Sequence, residues 1–303
     1  AFFFIMLPVK IGLQLSVSPY TWGFELTPFL ITAYFIIMML FASWCFFKLS
    51  KDAAVGVVLF SIFIYFGLTN MPWLPLIFIY GLIGYRIGGF KLSLTIIASF
   101  MFITFTGVLP QALLSIYLCG IAVIISFILG ASLGIWAAHN DKVSAFMRPI
   151  NDTMQTMPSF VILIPFVMFF GIGEFTALLA IIAYAFVPAM RYTEHGLRNL
   201  PETVIEAARM IGCSQAQLLW KVKIPLAMPV IMLGLNQTIM FGLAMLVIAA
   251  LVGTTGLGQL IYIGLSKADF GTGMISGVSI ALIAIIFDRT TQAWRIKLEK
   301  KTQ

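Results

Sequence analysis

Charged residues are scarce in this chain, and their scarcity limits the kind of protein it can be. Only 10% of the 303 residues are charged and 61% are hydrophobic, with a mean hydropathy of +1.06. A soluble domain of this length would carry roughly 25% charged residues. No Asp, Glu, Lys or Arg occurs in residues 53–85, 92–138 or 224–266, and about 20 apolar residues suffice for one membrane-spanning helix. The composition predicts an all-α polytopic membrane protein.

Cysteine and histidine are also few, which argues against a disulfide framework or a metal site. Cys45 and Cys119 lie in apolar segments and Cys213 lies in a polar loop, far apart in sequence. His139 and His195 each stand alone near a predicted membrane edge, whereas a metal site needs a cluster of ligands. We therefore predict no metal and no cofactor in this chain, and a structural role for both histidines.

The sequence lacks the common motifs of enzymes. There is no G-x-S-x-G, no H-E-x-x-H and no Walker A loop, so we expect neither catalysis nor ATP binding by this chain itself. The glycines of VGTTGLGQ follow no strand, and we interpret them as a flexible external turn rather than a dinucleotide site. These glycines are Gly253, Gly256 and Gly258.

Ionisable residues deep within the spans are missing as well. A proton- or ion-coupled carrier is expected to have them, but Asp152, Glu174, Arg191 and Asp288 all fall near predicted span ends. Their position favours a transporter driven by another subunit. A secondary transporter or channel without an ATPase, and a membrane scaffold, stay open as alternatives.

Nine apolar segments are candidate spans. The segment 72–86 is short and carries Pro72 and Pro75, so it could form a broken or re-entrant pair with 53–70. Pro158 and a second proline, Pro165, predict a kink in 154–172. The candidates are 28–48, 53–70, 72–86, 91–109, 112–138, 154–172, 175–193, 229–252 and 273–291.

The basic residues predict how the chain is oriented. If the polar stretch 194–228 is cytoplasmic and the nine spans alternate, 16 of the 18 Lys and Arg residues lie inside. Only Lys10 and Lys267 then lie outside. This arrangement places residue 1 outside and the C-terminus in the cytoplasm, and it explains the net charge of +7 without a nucleic-acid partner. The apolar start at Ala1 lacks the basic region of a signal peptide, and we expect it to be the tail of an earlier span.

The polar stretch 194–228 is predicted to begin with a short amphipathic helix. Pro201 suits a first helical turn, and Glu202 favours the positive end of a helix. Four apolar residues recur at three- and four-residue spacing and predict one apolar stripe, with Glu202, Glu206 and Arg209 off it. The stripe consists of Val204, Ala207, Ala208 and Ile211.

A second short helix is predicted to follow directly. Gly212 can adopt the left-handed conformation after a helix end, and Ser214 with Gln217 has the spacing of a capping box. Ile224-Pro225 is predicted to end this helix, and Pro229 to open the next span. These residues alone fit either a docking surface for a soluble partner or two amphipathic helices lying on the lipid surface.

The segment EAARMIGCSQAQLLWKVKIPLAMP resembles the EAA loop in the permease subunits of binding-protein-dependent ABC importers. The matching residues are Glu206-Ala207-Ala208, Gly212 and Ile224-Pro225-Leu226. Three further segments resemble the glycine betaine/proline (quaternary amine) branch of that family, so the resemblance extends over roughly residues 110–295. They are Leu133–Gly173, Leu235–Gln259 and Phe287–Trp294.

The resemblance implies a type I ABC importer, with a MetI-like transmembrane helical bundle and extra N-terminal spans. It implies a homodimer in the bacterial cytoplasmic (inner) membrane, two ATPase subunits that hold ATP and Mg, and a separate substrate-binding protein. The cargo would be glycine betaine, choline, carnitine, proline or trimethylamine N-oxide. The loop would form the coupling helix that contacts the ATPase, through Glu202, Glu206, Ala207, Ala208, Arg209, Gly212 and Pro225.

With this resemblance, the chain divides into three regions. These are an accessory transmembrane region 1–109, a permease core 110–295 with the coupling loop 194–228, and a basic cytoplasmic tail 296–303. Amide and hydroxyl side chains within the core spans fit two roles, hydrogen bonding between helices or lining a neutral path for a zwitterionic solute. These residues are Gln155, Thr156, Asn236, Gln237 and Thr238.

Overall fold

A computed structural model describes residues 73–302, with side chains described for 77–298, and every regular element in that part is a helix. This confirms the predicted all-α class. The predicted spans 28–48 and 53–70 lie outside the described residues. Contacts divide the chain into two compact units, Ala1–Ile79 and Tyr80–Gln303, and all packing described below lies within the second. The helices are α1 (Trp73–Phe105), α2 (Leu109–His139), α3 (Asp141–Thr156), α4 (Ser159–Phe170), α5 (Glu174–Arg198), α6 (Glu202–Met210), α7 (Gln215–Val252), α8 (Leu257–Ser266) and α9 (Phe270–Thr302).

By length and hydropathy, five helices of the described part could cross a membrane. They include α2, α5 and α7, which contain the predicted spans 112–138, 175–193 and 229–252. The other two are Ile77–Phe105 in α1 and Phe270–Leu298 in α9. The predicted span 273–291 lies within α9, so the sequence located four of the five correctly. The fifth, in α1, holds two segments that were predicted as separate spans.

Helix α1 is a hairpin rather than a straight rod. Gly89 has a non-helical backbone, with φ 77° and ψ −167°, and the chain reverses there. The rings of Tyr80 and Phe100 stack with centroids 5.1 Å apart, although 20 residues of straight helix would extend about 30 Å. A Cβ atom on Gly84 would lie 2.5 Å from the Ile96 side chain. The prediction of separate segments 72–86 and 91–109 is therefore confirmed, and within the described residues they pair with each other.

The predicted span 154–172 is not one helix, because it contains the end of α3 and the whole of α4. Helices α3 and α4 meet at an angle of 102°. The break lies at Met157 and Pro158, where Met157 is extended, as expected for a residue before proline. Pro165 lies inside α4 without breaking it. The expected kink is thus confirmed at Pro158, but the polar residues before it belong to the amphipathic helix α3.

The core of the bundle is formed by α2, α5 and α7. Gly130 and Gly134 of α2 lie directly against the backbone of α5. A Cβ atom would come within 2.5 Å of the Phe186 carbonyl oxygen at Gly130, and within 2.6 Å of the Met190 carbonyl oxygen at Gly134. Small residues four positions apart let membrane helices approach this closely. The packing therefore depends on the absence of side chains at these two positions.

The glycine-rich turn after α7 is anchored, which corrects the expectation of a flexible loop. The backbone N–H of Leu257 donates to Ser115 Oγ at 2.8 Å, and Thr255 Oγ1 donates to Glu174 Oε1 at 2.6 Å. Gly256 has φ +115°, and a Cβ atom there would lie 2.6 Å from Ser115 Oγ. The turn is therefore fixed to α2 and α5. Helix α8 then begins at Leu257, where no helix was predicted.

The turn between α8 and α9 is stabilised by an acidic cap. Asp269 accepts hydrogen bonds from the backbone N–H of Thr272 at 3.2 Å and from its hydroxyl at 2.7 Å. The hydroxyl bond, and then the backbone bond, hold the pKa of Asp269 below its usual value. The cap is therefore formed in the ionised state at neutral pH.

Candidate functional site

Helix α6 forms the first part of the polar loop and ends as predicted. It runs over Glu202–Met210, and Gly212 follows with φ +85°. Gly212 N–H donates to Arg209 O at 2.9 Å, and Cys213 N–H donates to Ala208 O at 3.3 Å. These two bonds are those of a Schellman motif, which satisfies carbonyl groups at a helix end. The predicted glycine turn is therefore confirmed.

The predicted apolar stripe of α6 is mostly exposed. Ala208 is buried, with 8% exposure, while Val204 is 37% exposed and Ile211 84% exposed. Met210, which the stripe did not include, is 87% exposed. The helix thus uses one small residue to rest on its own chain and presents larger apolar side chains outward. The acidic and basic residues Glu202, Glu206 and Arg209 are exposed around them, as is Ala207.

The second helix of the loop begins with the predicted capping box. Ser214 N–H donates to Gln217 Oε1 at 3.0 Å, and Gln217 N–H donates to Ser214 Oγ at 3.3 Å. The predicted end at Ile224-Pro225 is wrong, because the helix continues as α7. Residues Leu218–Lys223 are π-helical, and Ile224 N–H bonds to Leu219 O, five residues back. The wider turn accommodates Pro225, whose nitrogen carries no hydrogen and whose ring would otherwise crowd the preceding turn.

The side chain of Arg198 joins three helices at the base of α6. Its Nη2 donates to Ala137 O in α2 at 2.8 Å, and its Nη1 lies 2.8 Å from Asp141 Oδ1 in α3. Its Nε lies 3.0 Å from Glu194 Oε1, which also accepts a 2.5 Å hydrogen bond from Ser144 Oγ. The Glu194 side chain is only 13% exposed. We call Arg198, Glu194, Asp141 and Ser144 the Arg198 cluster; it fixes the end of α5 directly before α6.

A polar cavity of about 740 Å³ lies beside this cluster. Its lining includes Asp152 of α3 and Arg191 of α5, which form an ion pair. Gln155, one of the predicted path residues, and Tyr192 also line it. The cavity thus combines charged, amide and aromatic groups at the end of the bundle that carries α6.

Two other predicted path residues are buried within the helix bundle. Asn236 is buried; its Nδ2 donates to Asp288 Oδ1 at 2.9 Å, and its Oδ1 accepts from Thr291 Oγ1 at 2.6 Å. Thr238 is fully buried and donates to Gly234 O within α7. These contacts are those expected for helix packing.

The remaining two predicted path residues are more accessible. Thr156 is exposed and donates to Asp152 O at the end of α3, while Gln237 is half-buried. The structure therefore does not bring the five predicted path residues to one surface.

Residues 130–295, more than half of the chain, match the family described as binding-protein-dependent transport system inner membrane component. The chain belongs to that family.

Named relatives of this inner membrane component come from solute transport systems. The chain is 40% identical over 226 residues to ProW, the glycine betaine/proline betaine transport system permease protein of Escherichia coli (strain K12). That alignment covers 75% of this chain and 64% of ProW, so the chain spans less than two thirds of that relative. It is 37% identical over 250 residues to OpuAB, the glycine betaine transport system permease protein of Bacillus subtilis (strain 168), covering 82% of this chain and 88% of OpuAB.

A solved structure supports the fold assignment. A chain of the MetNI methionine ABC transporter, determined in inward facing conformations, aligns with a TM-score of 0.55 at 20% identity. The alignment covers 61% of this chain and 92% of that one. At this identity the likeness concerns the fold alone, and it confirms the predicted MetI-like helical bundle of type I importers.

Two structural features of this inner membrane component were not predicted from the sequence. Gly130 and Gly134 form a small-x-x-x-small pattern, which could have indicated a close helix contact. Glu194 and Arg198 are four residues apart on a helix end, a spacing that favours an ion pair. Neither pattern alone could have named its partners, because these contacts join residues far apart in sequence: the glycines meet α5, and the ion pair meets α2 and α3.

Residues with metal-binding side chains are scattered in the structure. Within residues 73–302, no group of three His, Cys, Asp or Glu side chains comes together. Cys119 is buried in α2, so its thiol lacks the access to solvent that a reactive thiol needs. His139 bonds to Ile135 O and His195 to Asn199, both within their own helices or helix ends. Cys45 lies outside the described residues.

Proposed function

We propose that this inner membrane component is the permease subunit of an ATP-driven ABC importer, and that α6 is the docking point of a separate ATPase subunit. The observation that carries the proposal is the exposure of Met210 and Ile211, at 87% and 84%. Both lie beyond the end of α5, where the chain has left the apolar spans. Exposed apolar groups rimmed by charge are typical of protein interaction surfaces. Glu206 and Arg209 provide such a rim here.

Coupling would pass from α6 through the Arg198 cluster into the bundle. Only Asn199, Leu200 and Pro201 separate Arg198 from α6, so a displacement of α6 reaches Arg198 directly. From there, Asp141 and Ser144 connect to α3, which turns into α4 at the 102° bend. This link to a bent helix pair would transmit movement of α6 to the opening and closing of a path. ATP and Mg would be held by the partner, and this chain would have no catalytic role.

The docking proposal is tested by a matched pair of substitutions. Ile211→Asp places a charge in the proposed interface and should weaken binding of the transporter's ATPase about tenfold or more. Ile172→Asp makes the same change at a residue that is 75% exposed in the turn between α4 and α5. It should leave the ATPase bound. The complex is purified through the membrane subunit and the ATPase quantified; equal retention in both variants would rule out docking at α6.

For the cargo, we propose a small compatible solute, with glycine betaine the first candidate and choline, carnitine, proline and trimethylamine N-oxide in the same class. The names of ProW and OpuAB support this choice. In the polar cavity, the Tyr192 ring could contact a methylated ammonium group, and Arg148 could contact a carboxylate. Uptake of labelled glycine betaine, with each solute as competitor, tests the class. Glycine, which lacks the methyl groups, should compete poorly.

The assembly we propose is a homodimer with two ATPase subunits and a substrate-binding protein. Residues 110–295 would form the permease core, and 1–109 an accessory region. Cross-linking of the purified full complex, followed by mass measurement, gives the number of copies of each subunit. A single copy of this chain in the active complex would contradict the dimer.

We also propose that α6 and the C-terminus face the cytoplasm. Basic residues gathered at helix ends support this, since Lys and Arg are enriched on the cytoplasmic side. Lys297 donates to Arg86 O, and Arg198 donates to Ala137 O at the end of α2. Lys221 lies near the start of α7, whereas Lys267 comes after the end of α7 and after α8. In a background without native cysteines, Lys142→Cys should be labelled only from the cytoplasm and Ser266→Cys only from outside. The opposite labelling would reverse the orientation.

One observation favours the alternative of a secondary transporter. Asp288 is half-buried in α9, directly after the uncharged stretch 270–287. An acidic residue in a span is a common element of ion coupling, although Asp288 is engaged by Asn236 and Gln292. The substitution Asp288→Asn distinguishes an ATP-driven importer from an ion-coupled carrier. An ATP-driven importer should retain ATP-dependent uptake, whereas an ion-coupled carrier should lose transport driven by an ion gradient.

A further inference from the structure

A groove of about 540 Å³ lies between the α1 hairpin and α9. Lys91 and Thr95 line it from the second arm of α1, and Arg289 lines it from α9. Leu92 and Ile285 give it apolar walls. The groove therefore holds two cationic side chains beside a surface that suits hydrocarbon.

The two cations of this groove have no acidic partner in the described part of the chain. Within residues 77–298, neither Lys91 nor Arg289 forms an ion pair. Asp288, next to Arg289, is turned to other groups: its Oδ1 accepts from Asn236 Nδ2 at 2.9 Å, and both its oxygens lie 2.8 Å from Gln292 Nε2. Among the described residues, the groove therefore carries two positive charges that no ion pair compensates.

The groove lies where the uncharged part of α9 ends. Arg289 follows the stretch 270–287, which contains no acidic or basic residue. Tyr85 and Trp294 are 56% and 50% exposed near this end of α1 and α9, and such aromatic residues are enriched where a membrane meets water. Arg289 lies five residues before Trp294, about 7.5 Å towards the apolar stretch. An exposed cation at that depth needs a counter-charge or must reach the headgroup region.

We propose that this groove is a binding site for an anionic phospholipid. Its phosphate would contact Lys91 and Arg289, and an acyl chain would lie along Ile285. Basic pockets between membrane helices are suited to such headgroups. The amide of Gln292 is occupied by Asp288, so the two cations carry the recognition. The site is independent of the proposed docking of an ATPase at α6.

The proposal is tested by titrating the purified full chain in detergent with phosphatidylglycerol or phosphatidylcholine, and counting bound lipids by native mass spectrometry. The wild type should bind a first phosphatidylglycerol more tightly than phosphatidylcholine. Lys91→Gln and Arg289→Gln should each weaken it about fivefold. Arg289→Lys, which keeps the charge, should retain most of the affinity and shows that the loss is not due to misfolding.

Lys142→Gln is the matched control, because Lys142 is an exposed cation at the start of α3, outside the groove. It should bind phosphatidylglycerol like the wild type. Equal binding of the two lipids by the wild type would overturn the proposal, as would an equal loss in the Lys142→Gln control. Competition by soluble glycerol phosphate at the same concentration as the lipid would show a site for free phosphate, which also contradicts a lipid site.

Discussion

Arg198 and Glu194 lie one helical turn apart at the end of α5, with Arg198 Nε 3.0 Å from Glu194 Oε1. The pair is not an isolated surface contact, because Arg198 also reaches Ala137 and Asp141, and Glu194 also accepts from Ser144. An exposed pair of this spacing would contribute only about 0.3–0.5 kcal/mol. Here the two residues together connect α5 to α2 and α3, just before the loop that we propose to bind an ATPase.

Removing the Arg198 side-chain charge should destabilise the protein and impair coupling. Arg198→Met leaves the shielded Glu194 carboxylate without its cation. It is expected to lower the free energy of unfolding by about 1–3 kcal/mol. Ser144→Ala removes one hydrogen bond and keeps the ion pair, so it should cost less. Thermal unfolding in detergent measures both effects. An Arg198→Met variant as stable as the wild type would show that the cluster does not hold the helices together.

The contact between α2 and α5 should not tolerate even a methyl group. At Gly134 an added Cβ would lie 2.6 Å from Met190 O, a backbone atom that cannot turn away. Gly134→Ala should therefore destabilise the protein by about 1–3 kcal/mol. Gly120→Ala is the control in the same helix, because nothing lies within 4 Å of its added Cβ. It should be neutral or slightly stabilising, since alanine favours helix; equal effects at the two positions would refute the close-contact account.

Substituting a packing residue should change thermal stability, whereas substituting a path residue should change the KM for uptake. Asn236→Ala breaks the hydrogen bonds to Asp288 and Thr291, and should lower thermal stability with little change in the KM for uptake. Gln155→Ala removes an exposed group of the polar cavity and should change KM with little effect on stability. Uptake kinetics and unfolding are measured on the same preparations. The reverse outcome would place the path at Asn236.

The turn after α6 should depend on the backbone at Gly212. Its φ of +85° costs a non-glycine residue about 1–2 kcal/mol, and no neighbouring atom would obstruct a Cβ. Gly212→Val should therefore impair ATPase docking more than Gly212→Asn, because asparagine tolerates this conformation. ATPase retention in the purified complex gives the order. Equal retention in both variants would mean that docking does not need this turn.

Local patterns predicted much of the fold. The apolar stretches located α2, α5 and α9, and the capping box at Ser214 and Gln217 appears as expected. The same local logic failed at Pro225, since a π-helical segment keeps α7 continuous there. It also failed at the turn before α8, because Ser115, which fixes that turn, lies 142 residues away. Such long-range contacts leave no local pattern to read.

The candidate site was predicted in part. The helix, its glycine turn and its acidic residues follow from the sequence between Glu202 and Gly212. The predicted apolar stripe is mostly exposed, since only Ala208 of its four residues is buried. The Arg198 cluster could not be foreseen in full, since it assembles residues from α2, α3 and α5.

The central claim is that ATP hydrolysis in a partner drives solute through this chain by way of α6. It is tested most directly by measuring glycine betaine uptake and ATP hydrolysis together in proteoliposomes containing the complete transporter. The wild type should take up solute only with ATP, and Glu206→Lys should retain membrane insertion and hydrolysis while losing most uptake. Uptake without ATP, or a Glu206→Lys variant that transports as much solute per ATP as the wild type, would contradict the account.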